Sequence, residues 1–141
     1  MWKSDYSIEQ VNSMSKNTIL ETLGIEIIEK GEDFLVGKMP VDSRTVQPMR
    51  LLHGGANVVL AETLGSIASL MIINPEEEIS VGLDVNANHI RSVKSGWVKG
   101  IARPLSLGSK IHVWEIKITD EDDKLTCVSR LTVSILPKRN A

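Results

Sequence analysis

With 141 residues, a formal net charge of −2 and 24% charged side chains, the chain has the length of one domain, residues 1–141, able to bury most of its apolar surface in a single core. That balance excludes a disordered, highly charged segment and offers no broad basic surface to nucleic acid. One cysteine, Cys127, excludes an internal disulfide framework; with no charged and then apolar leader at the start, the expected location is the cytoplasm.

In chain order, Ser7 to about Met14 predicts a short amphipathic helix. Ile8 and Val11 fall at helical spacing behind a Ser7 cap and a capping-box Gln10. "GIEIIEKGEDFLVGKMP" predicts a hairpin, turning at Lys30 to Asp33 between two runs rich in Ile, Val, Leu and Phe. Residues 41–53 are expected as a loop bounded by Pro40 and containing Pro48.

A long apolar helix follows, from Gly54 to about Ile73, in which Glu62 is the sole charge. Its length approaches a membrane span. Asn57, Glu62, Thr63, Ser66 and Ser69 argue against insertion in lipid, because a carboxylate in mid-span without a polar companion helix is costly. A helix enclosed by protein fits instead.

After the polar break "NPEEE" the pattern changes to strands. Leu83, Val85, Ala87 and His89 alternate with Asp84, Asn86 and Asn88; Trp97 to Ile101 and residues 110–119 predict two more, and Leu125 to Leu136 the last. Trp97 and Trp114 read as sheet packing and Cys127 as a half-buried strand residue. The acidic stretch at 120–123 reads as a solvated hairpin turn, since it lacks the glycine and terminal glutamate of a calcium loop. The order predicts an α+β fold, an antiparallel sheet curled around one central helix.

A glutamate inside such a helix must be hydrogen-bonded or used. On helical spacing Glu62 shares a face with Gly55, Gly65, Ser66 and Ser69. That strip has two readings: an inert polar contact between closely packed helices, or room for a ligand. "HGG" at the loop-to-helix junction directs backbone N–H groups from the positive end of the helix dipole, where a developing oxyanion would be stabilised. Gly54 and Glu62 are eight residues apart, about 12 Å of helix. To act on one carbonyl, Glu62 must face the Gly54 of a second chain, with the two helices antiparallel.

Other chemistries lack their motifs. His53, His89 and His112 show no zinc spacing, and GxSxG, GxGxxG and the Walker loop are absent, so neither metal nor cofactor is expected.

"QPMRLLHGGANVVLAETLGSIAS", "VGLDVNANHIRS" and "PLSLGSKIHVW" together resemble the hotdog-fold acyl-CoA thioesterases, in the branch of 4-hydroxybenzoyl-CoA thioesterase and 1,4-dihydroxy-2-naphthoyl-CoA hydrolase. The likeness runs from about Trp2 to Leu136. It implies Glu62 as catalytic nucleophile or general base, Gly54 N–H as the polarising donor, Gln47 and His53 as positioning groups, and Ser66 as an acyl contact. It also implies coenzyme A contacts at Gly82, at His89, Ile90, Arg91 and Ser92, and at Ser106, Leu107, Gly108, Ser109, Lys110 and Ile111. Arg91 and Lys110 suit phosphates; His89 reads equally as a core-edge residue bonded to backbone.

The resemblance further implies a homodimer with shared sites, doubled into a tetramer, acting on an aromatic acyl-CoA such as one of menaquinone biosynthesis, with no nucleic-acid or membrane partner. Two other readings stay open: a hotdog-fold hydroxyacyl dehydratase or hydratase using His53 with Glu62, and a non-catalytic acyl-CoA binder.

Overall fold

The computed structural model describes residues 1–139. Helix α1 (Ile8–Ser13) starts on the Ser7 and Gln10 capping box, both halves of which form. A second helix, α2 (Ile19–Leu23), is one the periodicity missed. At five residues it spans little more than a turn, although its Thr18 cap and left-handed Gly24 stop are in the sequence. Asn12 on α1 grips strand β1 (Glu26–Lys30), donating to the Ile27 carbonyl and accepting from its N–H, both at 2.8 Å.

The hairpin partner β2 (Leu35–Val41) runs through Pro40, which was expected to bound a loop. Pairing with β1 stops at Lys38, so Pro40 faces only strand β4 (Gly96–Leu107), opposite Trp97. The remaining strands are β3 (Glu78–His89), β5 (Ile111–Thr119) and β6 (Leu125–Pro137). Together they form one antiparallel sheet in the order β1-β2-β4-β5-β6-β3.

Two strands depart from expectation at irregularities. β4 continues well past Ile101 to Leu107, beyond Pro104 and a register shift before Ser106. In β3 the register slips between Gly82 and Asp84, leaving Leu83 outside the ladder and 64% exposed, so it does not share the inward face of Val85 and Ala87. The 120–123 stretch is a hairpin turn in which the Asp120 carboxylate accepts from Asp122 and Lys124 N–H groups.

The central helix α3 (Gly54–Leu70) lies across the concave side, touching β2 through β6. Leu64 drops onto paired glycines: a Cβ on Gly37 or Gly100, which face each other across β2 and β4, would come within 2.7 Å of its methyls. Gly65 receives Leu131 of β6 in the same way. Leu60, Leu64, Trp114, Ile116, Leu131 and Val133 are fully buried around this contact, each aliphatic contributing about 1.5–3 kcal/mol by its burial. Trp114 packs as expected, whereas Trp97 lies half-open under the Lys38 ammonium, 4.4 Å from its ring centre. Cys127 is sealed in the core, and burial pushes its thiol up to about 11. No helix among the described residues is long and apolar enough to cross a membrane.

Candidate active site

The α3 N-terminus is held by the loop before it. His53 N–H donates to the Thr45 carbonyl at 2.8 Å and Leu52 N–H to that of Val93 at 2.8 Å. His53 is the N-cap; its Nδ1 accepts from Gly55 N–H at 2.7 Å and its carbonyl from the Ala56 and Asn57 N–H groups. That leaves the Gly54 N–H without an acceptor among the described residues, at the positive end of a 17-residue helix. With Nδ1 so engaged, neutral His53 carries its proton on Nε2.

Gln47 lies on the same side. Its side-chain oxygen accepts from the Met49 N–H, which fixes the amide and leaves the NH₂ end to donate. Gln47, Gly54, Asn57, His89, Arg91 and Ser92 line one cavity of about 290 Å³. His89 crowds Gly54 closely: a Cβ there would stand 2.8 Å from its Nε2. His89 bonds not to backbone but to the Asn57 amide, Nδ2 to Nδ1, at 3.3 Å.

Glu62 opens into a different cavity, about 490 Å³, with Ile19, Leu20, Val59, Ser66 and Gly82. The carboxylate is half-buried, not sealed as expected from its apolar surroundings. Its Oε1 lies 3.2 Å from where a Cβ on Gly82 would be, so Gly82 of β3 sits beside the carboxylate, away from His89 to Ser92. Two members of the expected strip serve the chain's own core. Gly65 takes Leu131, and Ser69, fully buried, lies 2.9 Å from His112 Nδ1 and accepts from Trp114 Nε1 at 2.8 Å. Only Ser66 stays with Glu62. Spacing on the helix could not tell a surface strip from one covered by the sheet.

The third group, Ser106 to Ile111, spans the end of β4, its connection and the start of β5, and Gly108 N–H donates to the Ile111 carbonyl at 2.9 Å. Leu107, Gly108 and Ser109 line a recess with Lys3, Glu78 and His112. His112 is 4% exposed, and its burial pushes the imidazole below its ordinary value. Within one chain this group is remote from Arg91. His89 pairs with Cys127 and Ile111 with Ser134, seven residues apart on β6, or about 23 Å. The expected site residues thus gather into two sets: Gln47, His53, Gly54 and His89 to Ser92 at one end of α3, and Glu62, Ser66 and Gly82 farther along it toward the Ser106 to Ile111 turn. The contributions of Ile19 and Leu20 went unforeseen because they lie on the missed α2.

Residues 49–127 match the profile of the thioesterase superfamily. The chain is 48% identical to the 1,4-dihydroxy-2-naphthoyl-CoA hydrolase of Escherichia coli over 96% of its own length and 99% of that protein. It is 43% identical to the proofreading thioesterase EntH of Cronobacter turicensis, over 96% and 98%. Among solved structures, a mutant thioesterase from Pseudomonas aeruginosa superposes with a TM-score of 0.96 at 45% identity, covering 97% of this chain and 99% of that one. An antiparallel sheet around one helix, an open glycine N–H at that helix's start and a match along most of the chain lead to one conclusion: the protein belongs to the thioesterase superfamily and is a hotdog-fold thioesterase.

Proposed function

We propose that the protein hydrolyses an aromatic acyl-CoA thioester in sites shared between two chains. The observation that carries this reading is the separation of the open Gly54 N–H and the Glu62 carboxylate into different cavities on one helix. Each cavity holds what the other lacks. Antiparallel pairing of two α3 helices would bring the Glu62 of one chain against the Gly54, Gln47 and His53 of its partner. The edge strand β3, twelve residues long with Ile79, Val81 and Leu83 exposed, supports such pairing, because an apolar unpaired edge invites another strand.

In that site the thioester oxygen accepts from Gly54 N–H, whose dipole stabilises the negative charge that develops there. Glu62 either takes a proton from water as hydroxide adds to the carbonyl, or attacks the carbonyl itself to give an anhydride that water then cleaves. On both routes the carbon–sulfur bond breaks, coenzyme A leaves as thiolate and is protonated, and the free acid remains. Ile19, Leu20, Val59 and Ile67 give the Glu62 cavity apolar walls for the acyl group. Arg91 and Lys110 meet coenzyme A phosphates.

Thiol release from benzoyl-CoA, followed with a thiol reagent and extended to hydroxybenzoyl, dihydroxynaphthoyl and fatty acyl-CoAs, tests the proposal. Faster turnover of the aromatic substrates is expected. Preference for aliphatic chains would overturn the acyl assignment, and no thiol release from any of them would overturn hydrolysis of acyl-CoA in favour of hydration chemistry or binding alone.

A further inference from the structure

We infer that Asn57 is a positioning residue of this site, holding His89 with its proton on Nε2 so that His89 supplies a second donor beside Gly54. The inference rests on the reading of Gly54 as the oxyanion donor.

Asn57 lies on α3 just beyond Gly54 and is 4% exposed. One end of its amide is used, Nδ2 lying 3.3 Å from His89 Nδ1. The other is not: Oδ1 is buried without a hydrogen-bond partner among the described residues. A stranded amide oxygen costs stability, and leucine, similar in size, would remove the cost. A purely structural role therefore gives no reason for asparagine here. Turning the amide over does not help, because it strands a two-hydrogen donor in place of one oxygen.

The used end has a defined consequence. A neutral imidazole that accepts at Nδ1 carries its hydrogen on Nε2. The Nε2 edge is the one that overhangs Gly54, 2.8 Å from the position of an added Cβ. A proton held there lies over Gly54 at the start of α3, and two donors aimed at one oxygen stabilise a tetrahedral intermediate more than one. His89 itself is exposed in the single chain, so without Asn57 its ring would turn and exchange tautomers freely.

The test combines spectroscopy with kinetics on the wild type, Asn57→Leu and Asn57→Asp. Long-range proton–nitrogen spectra of histidine-labelled protein report which ring nitrogen is protonated, with His89 assigned through the signals lost in His89→Gln. In the wild type the neutral ring is expected as the Nε2–H form. Asn57→Asp, an acceptor facing Nδ1, should move the proton to Nδ1; Asn57→Leu should shift His89 toward the tautomer mixture of a free imidazole. Asn57→Leu should also keep or raise Tm while lowering kcat on benzoyl-CoA about tenfold with KM little changed, a smaller loss than removal of an oxyanion donor outright.

A wild-type ring protonated on Nδ1, or an unchanged tautomer and kcat in Asn57→Leu, overturns the inference even if Asn57→Asp does not fold. So does a fall in Tm in Asn57→Leu, which would mark Asn57 as a packing residue. The tautomer is read without turnover, so a wild type inactive on every acyl-CoA would refute the proposed function and leave the spectroscopic result standing.

Discussion

The two cavities along α3 differ in what they are made of. The one at the helix start is built from fixed donors: the Gly54 N–H, the Gln47 amide held by Met49 N–H, and His89 against Asn57. The one farther along holds a lone half-buried carboxylate among apolar walls, with no cation paired to Glu62 among the described residues. Donors without a base can polarise a carbonyl but not cleave it, and a base without donors leaves the oxyanion unstabilised. The contrast teaches that, on the proposed reading, one chain carries two unlike halves of a hydrolytic site, in an order along the helix that calls for a second chain to complete it.

The largest effect should come from the carboxylate half. Glu62→Gln keeps the shape and removes the ionisable group, so kcat should fall roughly 10²–10⁴-fold with circular dichroism and Tm near wild type. Near-normal turnover would leave the apolar cavity as an acyl pocket with no base in it.

Joining the halves is the next test. Glu62→Ala and Gly54→Pro, each inactive alone, should regain about a quarter of wild-type sites when refolded together, because in a mixed dimer one site collects both lesions and the other neither. Heterodimers without activity would return the whole site to one chain.

The proposed phosphate contacts sharpen the comparison more mildly. Arg91 sits at the donor end and Lys110 at the far turn, about 23 Å away along the sheet. Replacing either with alanine should raise KM for an acyl-CoA about tenfold, the worth of a charge-assisted hydrogen bond, and spare kcat. A truncated thioester without the nucleotide should not respond.

The smallest effect concerns stability at the far turn. Burial holds His112 below its ordinary 6.5, so between that lowered folded value and 6.5 the unfolded chain binds more protons than the folded one. Its contribution is complete above about pH 6.5 and is lost as pH falls toward the folded value. Thermal melts from pH 7.5 downward should show that decline. His112→Gln should flatten it.

Much of this was legible in the chain itself. Helical spacing and one capping box placed α1, turn chemistry placed the first hairpin, and an apolar run behind "HGG" placed α3. The eight-residue interval from Gly54 to Glu62 already separated the two groups, because helical rise is fixed by backbone geometry. What periodicity missed were features whose reason lies elsewhere in the fold: α2, one turn long; β4 beyond Ile101, carried past Pro104 by its neighbours; and Leu83, put out of alternation by a bulge.

The sequence by itself determined the fold class, through its order of elements, and the family, through the motifs that carry the resemblance, and it offered Glu62 and Gly54 as the candidate carboxylate and oxyanion donor. Only the tertiary structure decided which side of α3 meets the sheet. Leu64 on the glycines of β2 and β4, Leu131 on Gly65, and Ser69 within hydrogen-bond reach of His112 and Trp114 turn those positions inward, leaving Glu62 and Ser66 open to a cavity. The physical reason is that a helix fixes the relative angles of its side chains, whereas its rotation against a sheet is set by which contacts from distant strands pack without voids.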